Sequence, residues 1–332
     1  EKVVREGIEK NRKFNAANAA LLATSPKTGE VLALTIGTGN YFEKPYPEGC
    51  EEGVNCLFDP KFNVIVGTKG YPGRQPGSAF KPFVFATAFA KGYTDKEIVI
   101  DEPTSFGIWG GKEYKPNNYD GKFRGPVTLR EALAQSLNVP SVKVLLYLAG
   151  LEDSVKTAQN LGISTLKGPF GPSIVLGGWE VLPLEITAAY GVFANDGYKN
   201  NPFIIWKIED SKGRIVFEQK ITKIKVMEER VARMINDILS DNEARAPMFG
   251  FNSPLYFKNY QVAVKTGTTQ DYRDAWTIGY TPSIVVGVWV GNNNNAPMEK
   301  KPGIMLAAPI FHQFLKEILP KIGNETFPKP ET

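Results

Sequence analysis

Apolar positions along the chain change their spacing from strand-like to helical and back. After a helical opening that extends to about Ala17, NAALLATSPKTGEVLALTIG reads as a β-hairpin, two apolar runs joined by Pro26-Lys27-Thr28-Gly29 at turn positions. Gly37 to Gly77 is rich in glycine and proline and predicts a long loop region. That region breaks at Ser78 into a nearly all-apolar stretch through Phe80, Val84 and Ala88, which predicts a helix buried on most sides. Ile98 to Gly125 is strand-poor and rich in Gly, Asn and Tyr. Helical spacing then dominates in VTLREALAQSL, SVKVLLYLAG, LEDSVKTAQNLG and LPLEITAAYGVFANDG, with glycine near several ends. PFIIWKIED and GRIVFEQK form a strand pair around Ser211 to Gly213, and MEERVARMINDILSD is helical. Three β-rich runs follow, QVAVKTGTT, AWTIGYTP and SIVVGVWVG, closed by a helix near Ala307 to Leu319. No internal repeat is visible.

Strands at both sequence ends flank a helical middle. One sheet is therefore expected from the N-terminal hairpin and the C-terminal strands, with the central helices as a second lobe. The expected class is α+β, an antiparallel sheet flanked by helices plus a helical lobe, with a cleft between them. The sheet lobe should take residues from about 15–75 and 258–322, and the helical lobe about 78–257.

Composition changes this picture little. The 332 residues are 42% hydrophobic and 22% charged, enough to bury one large core or two smaller ones. Net charge is +4 without a Lys/Arg run that would mark a nucleic-acid footprint. No apolar stretch is long enough to span a bilayer and the first residues carry no signal-peptide pattern, which leaves a cytosolic protein or part of a longer chain. The single histidine matters more. His312 lies in a terminal amphipathic helix, so Ser-His-Asp, Cys-His and histidine-rich metal chemistry are excluded, and any activated nucleophile must use Lys, Asp, Glu or Tyr as its base. Cys50 and Cys56, close together in GCEEGVNC, have a spacing that allows a bridge without requiring one.

Ser78 and Lys81 are three residues apart at a helix start, on one face, where a partly buried lysine beside the positive helix end has a lowered pKa and can take a hydroxyl proton. The bland reading is an N-cap serine and a solvated lysine. Ser136-Leu137-Asn138 falls in a break between two helices, and Lys265-Thr266-Gly267-Thr268 ends an apolar strand. Ser-x-x-Lys, Ser-x-Asn and Lys-Thr-Gly in that order are a known set for serine acyl-transfer enzymes, here with Leu137 where the common middle motif has Asp. Each motif has a decoy. Ser164 and Lys167 lie in a Gly/Pro-rich loop, Ser240-Asp241-Asn242 reads as a helix stop, and Lys27-Thr28-Gly29 is the hairpin turn. Glu180 reads either as a water-activating base or as a helix-start residue, and Tyr272 and Trp276 either line a groove or pack.

RQPGSAFKPF, NNYDGKFRGPVTLREALAQSLNVPSVK, VLGGWEVLPLEITAAYGVFANDG and KTGTTQDYRDAWTIGYTPSIVVGVWVGN resemble the transpeptidase domain of class A penicillin-binding proteins, and the likeness covers nearly the whole chain. The resemblance implies the β-lactamase/transpeptidase-like fold. It also implies a serine D,D-transpeptidase that cross-links peptidoglycan stem peptides through an acyl-enzyme on Ser78, is acylated by β-lactams and uses no cofactor or metal. Alternatives are a D,D-carboxypeptidase or β-lactamase-type hydrolase, and, in another class, a non-catalytic peptidoglycan-binding scaffold. Carried over residue by residue, Ser78 is the nucleophile, Lys81 the base, Ser136 a proton relay and Asn138 a holder of Lys81 and substrate. Lys265 keeps a positive charge near Lys81, Thr266, Gly267 and Thr268 bind the substrate carboxylate end, and the backbone N–H groups of Ser78 and Thr268 form an oxyanion hole. In that family the domain follows a glycosyltransferase domain and a membrane anchor, neither within this sequence, and works on the extracytoplasmic face of the bacterial membrane.

Overall fold

A computed structural model describes residues 1–330. Helix α1 (Lys2–Asn11) ends in a short 3-10 turn and leads into the hairpin β1 (Asn18–Thr24) and β2 (Val31–Ile36). The helix is shorter than the expected limit near Ala17, because Asn15 turns the chain through a left-handed conformation (φ 53°). After the long loop, a 3-10 turn over Gly77–Phe80 carries Ser78, and α2 (Lys81–Ala90) follows directly. The α-helix thus begins at Lys81 rather than Ser78.

The segment 98–125 contains more pairing than its composition suggests: β3 (Ile98–Asp101), β4 (Ile108–Trp109) and β5 (Lys112–Glu113) precede β6 (Gly125–Thr128), and β3 pairs with β6. Helices α3 (Leu129–Ala134), α4 (Asn138–Lys143), α5 (Leu151–Leu161) and α6 (Pro183–Ala194) follow. Thr128 and Glu131 close a capping box at the start of α3. Next come β7 (Tyr198–Lys199), the hairpin β8 (Lys207–Glu209) and β9 (Ile215–Glu218), β10 (Ile224–Lys225), and helices α7 (Glu229–Ser240) and α8 (Asn242–Phe249). Strands β11 (Ala263–Thr268), β12 (Asp274–Tyr280) and β13 (Val285–Gly291), then α9 (Gly303–Leu306) and α10 (Ala308–Ile322), complete the order.

One antiparallel sheet joins both ends of the sequence in the order β11-β12-β13-β1-β2. Strands β1, β12 and β13 are buried at every position because both of their faces are covered. Alternation in β1 sends Ala20 and Leu22 to the helical lobe and Ala19, Leu21 and Ala23 to the layer formed with α1 and α10. The same rule puts Trp276, Ile278 and Tyr280 of β12 on the helical side. Helix α2 lies in that first core, buried from Lys81 through Phe89, with Phe83 in contact with Tyr190 and Phe193 of α6. His312 stacks on Phe257 and its Nδ1 lies 2.9 Å from Pro254 O, a packing role. Cys50 and Cys56 form a disulfide. Among the described residues no helix is long and apolar enough to cross a membrane.

Candidate active site

Edge strand β11 presses its backbone against the 3-10 turn of Ser78, and glycine makes this approach feasible. Gly77 has φ +57°, and a Cβ there would stand 2.6 Å from Thr268 O; a Cβ on Gly267 would stand 2.2 Å from Pro76 O. Cross-links hold the turn from several sides. Trp276 Nε1 donates to Gln75 O (2.8 Å) and Tyr190 Oη to Ala79 O (2.7 Å). Buried Arg74 donates to the carbonyls of Asn292 (2.8 Å) and Asn293 (2.7 Å) and to Tyr71 Oη (2.8 Å). Trp276 therefore packs beneath the turn rather than lining a groove.

Lys81 is completely buried, deeper than its position at a helix start suggests. Its Nζ donates to Ser136 O (2.6 Å), Asn138 Oδ1 (2.7 Å) and Leu137 O (3.2 Å), and lies 3.4 Å from Ser136 Oγ. Lys265, which alternation in β11 puts on the same face as Ala263, is also buried and donates to Ser136 Oγ (2.7 Å) and Thr266 O (3.0 Å). One hydroxyl thus stands between two amines. Ser136 holds that place with φ 60°, a conformation uncommon outside glycine, in the break between α3 and α4. Burial, and after it the charge of Lys265, push the Lys81 pKa well below that of an ordinary lysine. Burial also lowers the pKa of Lys265, to about 7.

Asn138 is positioned from behind. Its N–H donates to Asn118 Oδ1 (2.8 Å), its Nδ2 to Asn117 O (2.8 Å), and Asn118 in turn donates to both carboxylate oxygens of buried Asp101 (2.8 Å each). Ser78, Ser136, Asn138, Thr266 and Thr268 open into one cleft of about 170 Å³. Thr268 Oγ1 already accepts a bond from Gly303 N (2.9 Å), which leaves its own proton available to the cleft. Leu176, Met248, Phe249 and Ile304 give the cleft an apolar wall, with Tyr119 and Gln270 also lining it. None of these wall residues belongs to the three motifs; Asn117, Asn118 and Tyr119 lie in the Gly-, Asn- and Tyr-rich segment that the sequence shows between 98 and 125.

The decoys lie elsewhere. Exposed Ser164 donates to Glu185 Oε1, and Asp241 caps α8 by accepting from Ala244 N (2.9 Å). Glu180 neither lines the Ser78 cleft nor caps α6, whose first turn holds Glu185 instead. It accepts weakly from Gln75 Nε2 (3.4 Å) and faces a separate cavity.

A mixed fold with a central antiparallel sheet, two buried amines and a serine at the start of a buried helix defines the penicillin-binding fold. The family model of the penicillin-binding protein transpeptidase domain matches residues 19–316, and the chain belongs to that family. It is 38% identical over 314 residues to penicillin-binding protein 1A of Aquifex aeolicus, covering 94% of this chain and 39% of that relative. The chain thus spans about two-fifths of the length of that relative. Among solved structures, penicillin-binding protein 1A of Haemophilus influenzae superposes with a TM-score of 0.79 at 23% identity over 94% of this chain and 49% of its own. PonA1 of Mycobacterium tuberculosis in complex with penicillin V gives 0.79 at 24% identity over 100% of this chain and 87% of its own.

Proposed function

We propose that this domain is a serine D,D-transpeptidase that joins peptidoglycan stem peptides through an acyl-enzyme on Ser78. The observation that carries the reading is that Ser78, Ser136 and Asn138 line one cleft while the buried amines of Lys81 and Lys265 both bond Ser136. Ser78 Oγ attacks the carbonyl of the penultimate D-alanine while neutral Lys81 takes its proton. Ser136, in contact with both amines, hands a proton to the departing D-alanine. Asn138 holds Lys81 and offers its remaining N–H to the substrate amide. The backbone N–H groups of Ser78 and Thr268 receive the oxyanion, and the Thr266 and Thr268 hydroxyls with Lys265 receive the terminal carboxylate. Gly267 contributes through its lack of a side chain, which lets the carboxylate-binding strand reach the Ser78 turn.

A β-lactam carries a strained amide and a carboxylate in the corresponding places and acylates the same serine. Release by water needs a carboxylate aimed at the ester. Glu180, the one candidate, faces another cavity, so the acyl group waits for the amine of a second stem peptide. This favours a transpeptidase over a β-lactamase, and the intact set of groups speaks against a silent scaffold. The domain acts outside the cytoplasmic membrane in this reading, and the disulfide suits that compartment.

Intact-mass measurement after incubation with penicillin tests the assignment. One adduct per chain is expected, on the peptide that contains Ser78. It is absent in Ser78→Ala and retained in Ser164→Ala. An adduct on another serine overturns the assignment. A time course should show one stoichiometric burst and then very slow turnover; sustained turnover lost in Glu180→Gln would make the protein a hydrolase.

A further inference from the structure

A second, polar cavity of about 440 Å³ adjoins the Ser78 cleft, with Gln270 lining both. Its walls include Gln75, Glu180, Asp271, Arg273 and Asp274. Gln75 is three residues before Ser78, so their Cα atoms are at most about 10 Å apart. The turn that supplies Asp271 and Arg273 follows the Lys-Thr-Gly strand directly. Asp271 and Tyr272 both have positive φ (60° and 54°), backbone strain of a kind that concentrates at functional sites.

The charges of this cavity fall into two groups. Asp274 is buried and satisfied by Trp289 Nε1 (2.8 Å), with Arg74 4.0 Å away, and the Arg74 guanidinium is itself held by carbonyls. Glu180 and Arg273 are different. The Glu180 side chain has only the weak Gln75 contact, and Arg273 donates to Asn295 O; among the described residues neither takes part in an ion pair. Beside the acyl-transfer cleft the cavity therefore presents one half-buried guanidinium, Arg273, and two carboxylates, half-buried Glu180 and exposed Asp271, none of which takes part in an ion pair among the described residues. A ligand that matches it has an ammonium next to a carboxylate.

We propose that this cavity is the subsite of the acceptor substrate, an amine-bearing amino-acid segment whose ammonium meets Glu180 and whose carboxylate meets Arg273. The proposal rests on the acyl-enzyme reading above and names the acceptor class for it. The ammonium gives one proton through Glu180 to solvent. The neutral amine then passes Gln270 and forms a C–N bond to the acyl carbon. The C–Oγ ester bond breaks, and the second proton released by nitrogen returns to Ser78 Oγ through Ser136.

The test uses a thioester donor that acylates the enzyme, with D-alanine or D-alaninamide as acceptor, and reads the ratio of aminolysis to hydrolysis against acceptor concentration. Wild type should prefer D-alanine. Arg273→Met should abolish that preference, and Glu180→Gln should raise the half-saturating concentration of both acceptors by about tenfold, as expected for one lost charged contact. Should Glu180→Gln fail to fold, Arg273→Met decides the question alone. Half-saturation and preference like those of wild type, in variants that take the penicillin adduct, overturn the subsite. No adduct on Ser78 in the wild type overturns instead the acyl-enzyme reading beneath it.

Discussion

Gly267→Ala is the substitution whose effect the geometry defines most sharply. The added Cβ would stand 2.2 Å from Pro76 O and 3.2 Å from Ala79 N. Carbon and carbonyl oxygen do not approach closer than about 3.3 Å, so strand β11 and the Ser78 turn must part by about 1 Å. Neither side yields easily. The turn is pinned through Gln75 O by Trp276 and through Ala79 O by Tyr190. The strand is backed by α9, where Gly303 packs so closely that a Cβ on it would lie 2.5 Å from Gly267 O. A displacement of about 1 Å between nucleophile and its partners costs on the order of a hundredfold in rate. Overpacking of this kind costs about 1–3 kcal/mol in stability.

Acylation of Gly267→Ala by a fluorescent penicillin, followed by stopped flow, should therefore be slower by about two orders of magnitude, with a lower melting temperature by circular dichroism. Gly171→Ala is the control: its Cβ would meet nothing closer than 3.7 Å, and its rate and stability should stay near wild type. If Gly267→Ala acylates within a factor of about three of wild type, the close approach of β11 to the turn has no part in the reaction and the argument fails.

Lys265→Met removes a buried amine whose folded pKa is near 7 against an ordinary 10.5. The folded state resists that proton, so the lysine lowers stability progressively as pH falls from 10.5 towards 7, and fully below it. The variant should accordingly gain more thermal stability at pH 6 than at pH 9 while acylating more slowly, and a uniform gain at both pH values would contradict the burial argument. Titration of the unreduced, denatured protein should find no free thiol. The double variant Cys50→Ser/Cys56→Ser should lose about 2 kcal/mol in denaturant unfolding, as for a loop closed across six positions. Two reactive thiols in the wild type would refute the bridge.

Much of this architecture was legible because its signals are local. Strands buried on both faces are dense in Val, Ile and Ala, and the hairpin turn at Pro26 to Gly29 has the residues its geometry asks for. Ser78 and Ser136 were recognisable from what surrounds them, a glycine-proline break on one side and a break between two helices on the other. What escaped depends on distant packing. Lys81 looks half-exposed in sequence because its neighbours Phe80 and Pro82 say nothing of Leu137 closing over it from 56 residues away. The same holds for Lys265, which would be an exposed edge lysine if the helical lobe did not cover that face. Glu180 resembled a base or a helix-start residue until the fold set it in a cavity beside the Ser78 cleft rather than within it. The apolar wall of Met248 and Phe249 comes from α8, whose pattern gives no hint that its end reaches the cleft.

The two buried amines give the proposed mechanism a property that neither would have alone. Burial lowers the pKa of both, and Ser136 Oγ lies within reach of each. A ligand carboxylate arriving at Thr266 and Thr268 stabilises the protonated form of Lys265, since an anion within a few ångströms raises an amine pKa. The charge so fixed on Lys265 is the second cause that depresses Lys81, so the carboxylate end of the ligand drives Lys81 further towards the neutral base. Ser136 then accepts from a charged Lys265 and turns its own proton away from it, towards the place a leaving amine would occupy. Binding of the correct anionic end and activation of the base are thereby one electrostatic event. A neutral ligand of the same shape would meet a site whose proton inventory is wrong. Lys265→Met breaks this coupling while leaving Lys81 in place, so the pH profile of its residual acylation should follow Lys81 alone.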